Sequence, residues 1–189
     1  YFADEEMLRY LGLRARSIGR HGGATLRGKL EAHAERVKLL TAHYSKLRPD
    51  LALSFSSPEA ARTAFGLVIP HIAVNDSPHA SAVARLTIPL SSILLTPWII
   101  PSGEWTKFGI EGRKIVKYRA LDPASWLKGF RPSRKILHEL GLDPSRPIVT
   151  IRPQEHLAAY LRGERADPSE EIARATARLL LVRPDIQVV

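Results

Sequence analysis

Apolar and polar residues follow two different spacings along this chain. Between Leu26 and Tyr44 the apolar side chains recur every three or four residues, which predicts a long amphipathic helix. Short apolar runs elsewhere alternate with helix-like segments. Such alternation predicts βαβ units and a parallel sheet with helices on both faces. The predicted strands are Leu13–Ile18, Leu51–Phe55, Ile69–Val74, Ser92–Thr96 and Lys114–Tyr118.

Serine near proline opens two of the predicted helices. Serine is a favoured N-cap and proline a favoured first helical residue, so Ser77 and Pro78 predict a helix over Pro78–Leu86. In the helix after Leu51–Phe55, Ser56 and Glu59 have the spacing of a capping box.

The pattern changes after residue 120. Short helices opened by proline occupy residues 121–146, which favours a linker. A new strand is predicted at Pro147–Ile151, then a helix over Pro168–Leu181 and a strand at Ile186–Val189. We therefore divide the chain into an N-terminal domain (residues 1–120), linker helices (121–146) and the beginning of a C-terminal domain (147–189).

Composition excludes several protein classes. The 189 residues are 44% hydrophobic and 25% charged, as in a globular protein that buries a core. No run of about 18 apolar residues is present, so no membrane span is predicted, and no signal peptide is visible. The absence of cysteine excludes disulfides and fits a cytoplasmic location. The chain lacks an initiator methionine and starts inside a predicted helix, so we expect it to be a fragment.

The net charge of +9 is the one unusual property of the composition. A basic protein can bind nucleic acid, an anionic membrane or phosphorylated small molecules. Here the excess is mostly arginine, scattered along the chain without interleaved aromatic residues, which argues against nucleic acid as a partner. A solvated basic surface is the simpler explanation.

Candidate chemistry gathers at the end of the strand Ile69–Val74. Asn75, Asp76 and His79 follow this apolar run, at the edge where open α/β sheets bind ligands. Asp76 can accept a proton or hold a sugar hydroxyl. The positive dipole end of the predicted helix would favour the neutral form of His79, and its N–H groups could bind an anion. The simpler interpretation is that Asp76 or Ser77 caps the helix and that His79 is a surface residue.

Other polar groups also lie beside predicted strand ends. The loop G-R-H-G-G (Gly19–Gly23) could let its backbone approach a phosphate or sugar, but it can equally be a plain turn. Ser57 offers a hydroxyl that can cap a helix or bind a ligand. Arg152, after the first strand of the second domain, can face an anion or be a surface arginine. The other histidines lack metal-ligand spacing, so we predict no metal site.

Several segments resemble one known family. The chain resembles an uncharacterised, largely archaeal protein family in the segment S-P-E-A-A-R-T-A-F-G-L-V-I-P-H-I-A-V-N-D-S-P-H-A (Ser57–Ala80). That family is similar to the GT-B superfamily of glycosyltransferases and to the UDP-N-acetylglucosamine 2-epimerases. The same family is matched by G-R-H-G-G (Gly19–Gly23), R-L-T-I-P-L (Arg85–Leu90), L-L-T-P-W (Leu94–Trp98) and V-T-I-R-P (Val149–Pro153).

The resemblance implies a GT-B-like α/β fold with two Rossmann-like halves facing across a cleft. The parallel-sheet N-terminal half would be incomplete, lacking its first strands, and only the start of the C-terminal half, where such enzymes bind the nucleotide, would be present. In the epimerases a His-x-Glu-Ala-Gly segment follows the strand equivalent to Ile69–Val74. Here the strand is followed by N-D-S-P-H-A (Asn75–Ala80). The carboxylate is shifted and the glycine is absent, which argues against epimerase chemistry.

The leading hypothesis from this resemblance is a nucleotide-sugar-dependent glycosyltransferase. Asp76 or His79 would act as general base on the acceptor hydroxyl. The donor, a UDP-sugar, would be a substrate, no cofactor would be needed, and the acceptor would be a sugar or a lipid-linked sugar. The alternatives are a UDP-sugar 2-epimerase-like enzyme and a non-catalytic binder of an anionic polymer. Arg152 would neutralise the donor phosphates, and the remaining substrate contacts would be His21, Gly22, Gly23, Ser57 and Asn75.

Overall fold

The computed structural model describes residues 7–152 and 169–189, and the structural statements below concern those residues. The chain divides into two compact units, with the boundary between Ser125 and Trp126. This boundary lies inside the segment 121–146 that the sequence predicts to be a linker. The first unit carries most of the candidate site residues, and the second carries Arg152.

The first unit is built on a four-stranded parallel sheet with the strand order β1-β2-β3-β4. This confirms the predicted α/β fold and four of the predicted strands to within two residues at each end. The strands are β1 (Ala52–Phe55), β2 (His71–Val74), β3 (Ile93–Pro97) and β4 (Ile115–Tyr118). The helices are α1 (Leu26–Leu47), α2 (Pro58–Gly66), α3 (Ser81–Thr87) and α4 (Gly103–Thr106). Two 3-10 turns lie at Ile88–Leu90 and Gly112–Lys114. A further helix, α5 (Asp122–Leu127), spans the unit boundary.

The predicted strand at Leu13–Ile18 is wrong. Residues 7–10 are helical, Gly12 turns the chain at a φ of 70°, and residues 13–18 form an irregular segment. A strand needs a neighbour for its backbone N–H and carbonyl groups, and this segment pairs with none of the described strands. Leu13 is also exposed, so its apolar character does not report burial.

The hydrophobic core lies on one face of the sheet. Ala73 and Leu94 point from β2 and β3 towards Ile88 and Trp105, and all four are at most 1% exposed. The indole N–H of Trp105 donates to the hydroxyl of Thr96 (3.1 Å), so this large side chain is buried with its polar group paired. The core therefore fixes β3 beneath α3 and α4.

The second face of the sheet is apolar but only partly covered by the described residues. Successive strand residues point to opposite faces, and this face exposes Leu53 by 63%, Phe55 by 55% and Val116 by 48%. Right-handed crossovers between consecutively ordered strands put all the connecting helices on the same side of a sheet. Helices on both faces are therefore not seen among the described residues, because the strand order sends α2, α3 and α4 to one side.

The second unit contains a smaller parallel pair. Its strands are β5 (Ile148–Val149) and β6 (Gln187–Val188), and its helices are α6 (Lys135–Glu139) and α7 (Ser169–Val182). The Gln187 side chain accepts a hydrogen bond from the Asp143 N–H (2.7 Å) and donates one to the Asp143 carbonyl (2.8 Å). The strands predicted at Pro147–Ile151 and Ile186–Val189 are thus both present, but each is only two residues long. Within the described ranges, no helix is long and apolar enough to cross a membrane.

Candidate functional site

The carboxyl ends of β1 and β2 meet at one edge of the sheet. Phe55 lies beside Val74 in the strand register, so Ser56 and Asn75 begin neighbouring loops. The Ser56 N–H donates to the Val74 carbonyl (3.0 Å), and the Asn75 N–H donates to the Leu95 carbonyl of β3 (3.0 Å). The polar residues that follow these two strands therefore lie together, as the sequence predicts for a parallel sheet.

Ser57, a predicted substrate contact, caps helix α2. Its hydroxyl oxygen accepts a hydrogen bond from the Ala60 N–H (3.2 Å), and Pro58 is the first helical residue. The predicted capping box of Ser56 and Glu59 is therefore wrong: the cap lies one residue later, at Ser57, because Ser56 has a left-handed φ of 49° and its N–H belongs to the sheet edge. The cap explains the serine without a ligand, so substrate contact by Ser57 stays a prediction.

Asn75, Asp76 and Ser77 form a hydrogen-bonded turn. Asn75 is 1% exposed, and its side-chain oxygen accepts a hydrogen bond from the Ser77 N–H (2.8 Å). The Ser77 hydroxyl donates to Asp76 Oδ1 (2.7 Å). Asp76 is partly exposed, so its carboxylate reaches the surface while Asn75 shapes the turn from inside.

The helix after this turn begins later than predicted. Helix α3 starts at Ser81 with Ala80 as its N-cap and no side-chain cap, whereas the sequence predicts a start at Pro78. The reason is that the Ser77 hydroxyl is used by Asp76, and Pro78 forms a turn in which the Ala80 N–H donates to the Ser77 carbonyl (3.1 Å). Neither Asp76 nor Ser77 therefore caps a helix.

His79 consequently lies in the turn and outside the helix. Its side chain is exposed, and its carbonyl accepts a hydrogen bond from the Ser81 N–H (2.8 Å). The expected effect of a helix dipole on His79, and the expected anion site on helix N–H groups beside it, both lose their structural basis. What remains is a partly exposed carboxylate and an exposed imidazole in the loop from Asn75 to Ala80 between β2 and α3, and their catalytic role stays a prediction.

The Gly19–Gly23 segment, called the glycine loop below, packs against the start of α1. A Cβ atom on Gly22 would lie 2.5 Å from the Cα of Lys29 and 2.7 Å from the carbonyl oxygen of Gly28, so only glycine fits. The exposed His21 accepts a hydrogen bond from the Gly23 N–H through Nδ1 (3.1 Å). Gly22 and Gly23 therefore fold the loop, and substrate contact by this segment stays a prediction.

A buried ion pair that the sequence did not reveal joins the glycine loop to α2. Glu59, which is 8% exposed, accepts hydrogen bonds from Nε (2.9 Å) and Nη2 of Arg36 on α1. His33 Nδ1 lies 3.2 Å from the same carboxylate oxygen, and Arg36 Nη1 donates to the Arg20 carbonyl (2.8 Å). Arg36 and Glu59 are 23 residues apart, so no local spacing signals their contact.

This arrangement keeps Glu59 ionised. Burial alone would raise the pKa of the Glu59 carboxyl, but the hydrogen bonds and charge of Arg36, with the charge of His33, hold its pKa below the ordinary value. The second carboxylate oxygen accepts a hydrogen bond from the Ser57 hydroxyl (3.3 Å). Glu59 therefore links the cap of α2 to α1.

His71 is a second group that the sequence did not single out. It is 1% exposed, with Ser54 Oγ 2.9 Å from Nε2 and Ser91 Oγ 2.9 Å from Nδ1. The Ser91 hydroxyl donates to the Thr87 carbonyl (2.8 Å), so it accepts from Nδ1–H, and Nε2 accepts from Ser54. Burial lowers the pKa of His71, so the ring is held neutral. Its position inside an apolar strand is the one signal that marks it as buried.

The remaining predictions concern Arg152 and metal ions. Arg152 is exposed and follows β5 in the second unit. The residue before it, Ile151, donates its N–H to the Val189 carbonyl (2.8 Å). Its contact with donor phosphates stays a prediction. Among residues 7–152 and 169–189 no three histidine or acidic side chains cluster as a metal site would require.

Solved structures of UDP-GlcNAc 2-epimerases share this fold. The enzyme from Neisseria meningitidis, bound to UDP-GlcNAc, matches 97% of this chain and 53% of its own, with a TM-score of 0.72 at 15% identity. The enzyme from Rickettsia bellii matches 100% of this chain and 52% of its own, with a TM-score of 0.73 at 14% identity. The chain therefore has the GT-B-like α/β fold of these enzymes, and such low identities show the fold alone.

The chain belongs to the family described as "Protein of unknown function (DUF354)", whose model matches residues 4–183. An archaeal relative, uncharacterized protein MJ0665 of Methanocaldococcus jannaschii, is 39% identical over 119 residues. Those residues are 61% of this chain and 34% of the relative. The matched part is thus about a third of this relative and about half of each of the two epimerases described above.

Proposed function

We propose that this protein is a nucleotide-sugar-dependent glycosyltransferase. The observation that carries the proposal is the partly exposed carboxylate of Asp76, in a loop with the exposed His79, at the carboxyl edge of a sheet whose fold is that of UDP-sugar enzymes. This edge is where open α/β sheets bind their ligands.

Asp76 is the candidate general base. It would accept the proton of the acceptor hydroxyl as that oxygen bonds to the anomeric carbon of the donor, while the bond from that carbon to UDP breaks and UDP leaves. A base in this role typically contributes about 10²–10⁴ in rate. The Ser77 hydroxyl, which donates to Asp76 Oδ1, would hold the carboxylate in one orientation. His79 is the second candidate for the same proton.

The other predicted contacts take supporting roles in this proposal. His21 is exposed and Ser57 is partly exposed, so both are accessible to an acceptor hydroxyl. Gly22 and Gly23 would act through the shape they give to the glycine loop, and Asn75 through the turn that presents Asp76. Arg152 would neutralise the phosphates of the donor.

A UDP-sugar 2-epimerase is the second candidate, favoured by the structural match to an epimerase bound to UDP-GlcNAc. An epimerase returns the nucleotide sugar with one inverted centre and releases no UDP, whereas a transferase releases one UDP for every sugar transferred. The loop from Asn75 to Ala80 favours the transferase, because it lacks the Glu-Ala-Gly of the epimerases.

The two candidates are separated by incubating the full-length protein with UDP-GlcNAc and a panel of sugar and lipid-linked acceptors. Release of UDP that depends on an acceptor supports the transferase. Formation of a second UDP-sugar by NMR, without UDP, supports the epimerase. Binding is checked first by thermal shift, since a ligand at a hundred times its Kd adds about 2.7 kcal/mol of stability. No shift with any nucleotide sugar would contradict both and favour the binder of an anionic polymer.

A further inference from the structure

We propose that Arg36 is a positioning residue, which holds the glycine loop against the first turn of α2 and thereby fixes the acceptor side of the site. The inference rests on the proposed function for its biological meaning, but its geometric content stands on the contacts of Arg36 alone. Arg36 contacts Arg20 and Glu59, and it acts on the site through these two residues.

The guanidinium of Arg36 contacts two segments at once. Nη1 donates to the Arg20 carbonyl in the glycine loop (2.8 Å), and Nε (2.9 Å) and Nη2 donate to Glu59 on α2. The planar guanidinium directs its donors in a fixed geometry, so the positions of the Arg20 carbonyl and the Glu59 carboxylate are set relative to one another. Arg36 thus connects the glycine loop with the first turn of α2.

The stem of Arg36 also shapes the loop. A Cβ atom on Gly19 would lie 2.5 Å from Arg36 Cγ, and Gly19 has a left-handed φ of 78°, so the loop folds closely over this side chain. The side chain of Arg36 is only 19% exposed and that of Glu59 is 11% exposed. A charge pair this well shielded from water is weakly screened by salt and holds its geometry.

The position of the contact links it to the candidate site. Glu59 accepts a hydrogen bond from the hydroxyl of Ser57, the residue that directly follows Ser56 at the sheet edge. The glycine loop carries His21 on its exposed side. His21 and Ser57, both proposed to contact the acceptor, are therefore connected through Arg20, Arg36 and Glu59.

Lysine is the substitution that separates positioning from simple stabilisation. Arg36→Lys keeps a cation beside the buried carboxylate, but a single ammonium cannot reproduce the fork that bonds both Glu59 and the Arg20 carbonyl. The matched control is Arg27→Lys on the same helix. Arg27 pairs with Glu31 in an exposed contact (2.7 Å) and its side chain is 89% exposed.

The test is amide hydrogen exchange on the full-length protein, followed by mass spectrometry of peptides covering the glycine loop and, separately, β2 and β3. We expect Arg36→Lys to raise exchange in the glycine loop at least tenfold while exchange in β2 and β3 stays within twofold. Arg27→Lys should leave all three regions within twofold of wild type. Unchanged exchange in the loop, or an equal rise in all regions, would overturn the proposal.

If Arg36→Lys does not fold, Glu59→Gln replaces it. This variant removes the charge that anchors the guanidinium and keeps the size of the side chain, so loop exchange should rise at least threefold, and unchanged exchange would again overturn the proposal.

Kinetics then separate positioning from the proposed function. In an active transferase, Arg36→Lys should raise the acceptor KM at least tenfold and leave the KM for UDP-GlcNAc within twofold. Absent activity in wild type would contradict the proposed function, whereas the exchange result would still decide the role of Arg36.

Discussion

Nδ1 of His71 lies 2.9 Å from the hydroxyl oxygen of Ser91, which itself donates to the Thr87 carbonyl. The ring therefore bridges β2 and the segment that follows α3, and it does so as a neutral imidazole because burial lowers its pKa. A second proton on Nε2 would face the Ser54 hydroxyl, which at present donates to that atom, so the Ser54 O–H would have to rotate and its oxygen accept instead.

We expect this histidine to make the protein less stable in mild acid. The unfolded chain binds a proton near pH 6.5, whereas the folded pKa lies lower, so stability is fully present above about pH 6.5 and is lost as the pH falls towards the folded pKa. The loss is at most about 1.4 kcal/mol for each pH unit. Urea denaturation between pH 5 and 8 measures it. His71→Gln should flatten the plot of the free energy of unfolding against pH, while the exposed His138→Gln should retain the slope of the wild type. Equal slopes in all three proteins would contradict the assignment of this pH dependence to His71.

Gly22→Ala should destabilise the first unit. The added methyl would lie within 2.7 Å of the backbone of Gly28 and Lys29, which cannot give way as a side-chain end can. Overpacking of this kind costs about 1–3 kcal/mol. Gly112→Ala is the control, because a Cβ there meets nothing within 4 Å, and its change should stay within about 0.5 kcal/mol. Thermal denaturation of both variants is the measurement, and equal melting temperatures would show that the glycine loop is not packed as described.

Thr96→Val should cost about 1–3 kcal/mol although the side chains are nearly the same size. The substitution leaves the indole N–H of Trp105 buried without its acceptor, in a side chain that is 0% exposed. Thr106→Val removes a hydroxyl from an exposed threonine nearby and should change the stability by less than about 0.5 kcal/mol. Chemical denaturation compares the two, and a neutral Thr96→Val would mean that the indole finds another acceptor.

Asp76→Asn should keep the fold and remove most of the activity. The asparagine oxygen can still accept the hydrogen bond of the Ser77 hydroxyl, so the turn is preserved, but an amide cannot take the proton of the acceptor hydroxyl. A loss of about 10²–10⁴ in kcat is expected for a general base. The melting temperature and turnover of this one variant decide the point. Turnover close to wild type would leave His79 as the candidate base, which His79→Gln would then test.

Much of the fold was readable from the sequence because apolar runs report burial. The runs at β1, β2 and β3 bury residues on the core face, and these strands and β4 were predicted to within two residues at each end. Leu13–Ile18 was predicted to be a strand from its apolar positions, but it pairs with none of the described strands and Leu13 is exposed. The pattern of a segment cannot reveal whether a neighbouring strand exists. The prediction of helices on both faces was wrong for the described residues for a related reason. The strand order that directs the helices to one side is a property of the whole topology and cannot be read from single segments.

The sequence predicted where the polar residues after β2 lie, but only some of their contacts. The polar residues after β2 do follow a buried strand at the sheet edge, yet Asn75 turns inward and binds the Ser77 N–H. That hydrogen bond and the one from Ser77 to Asp76 compete with the capping that Ser77 and Pro78 otherwise favour. The contact between Arg36 and Glu59 was not predicted, because it is made by packing between two helices and not by spacing along one.

The second face of the sheet, which the described residues cover only in part, has a practical consequence for the purification of this chain. Leu53 and Phe55 expose apolar surface that favours self-association, while the net charge of +9 makes the molecules repel one another. Salt shortens the reach of that repulsion to about 10 Å at 0.1 M but leaves the apolar attraction intact. Purification at low ionic strength should therefore give a monodisperse sample, and added salt should produce turbidity and binding of a fluorescent hydrophobic dye.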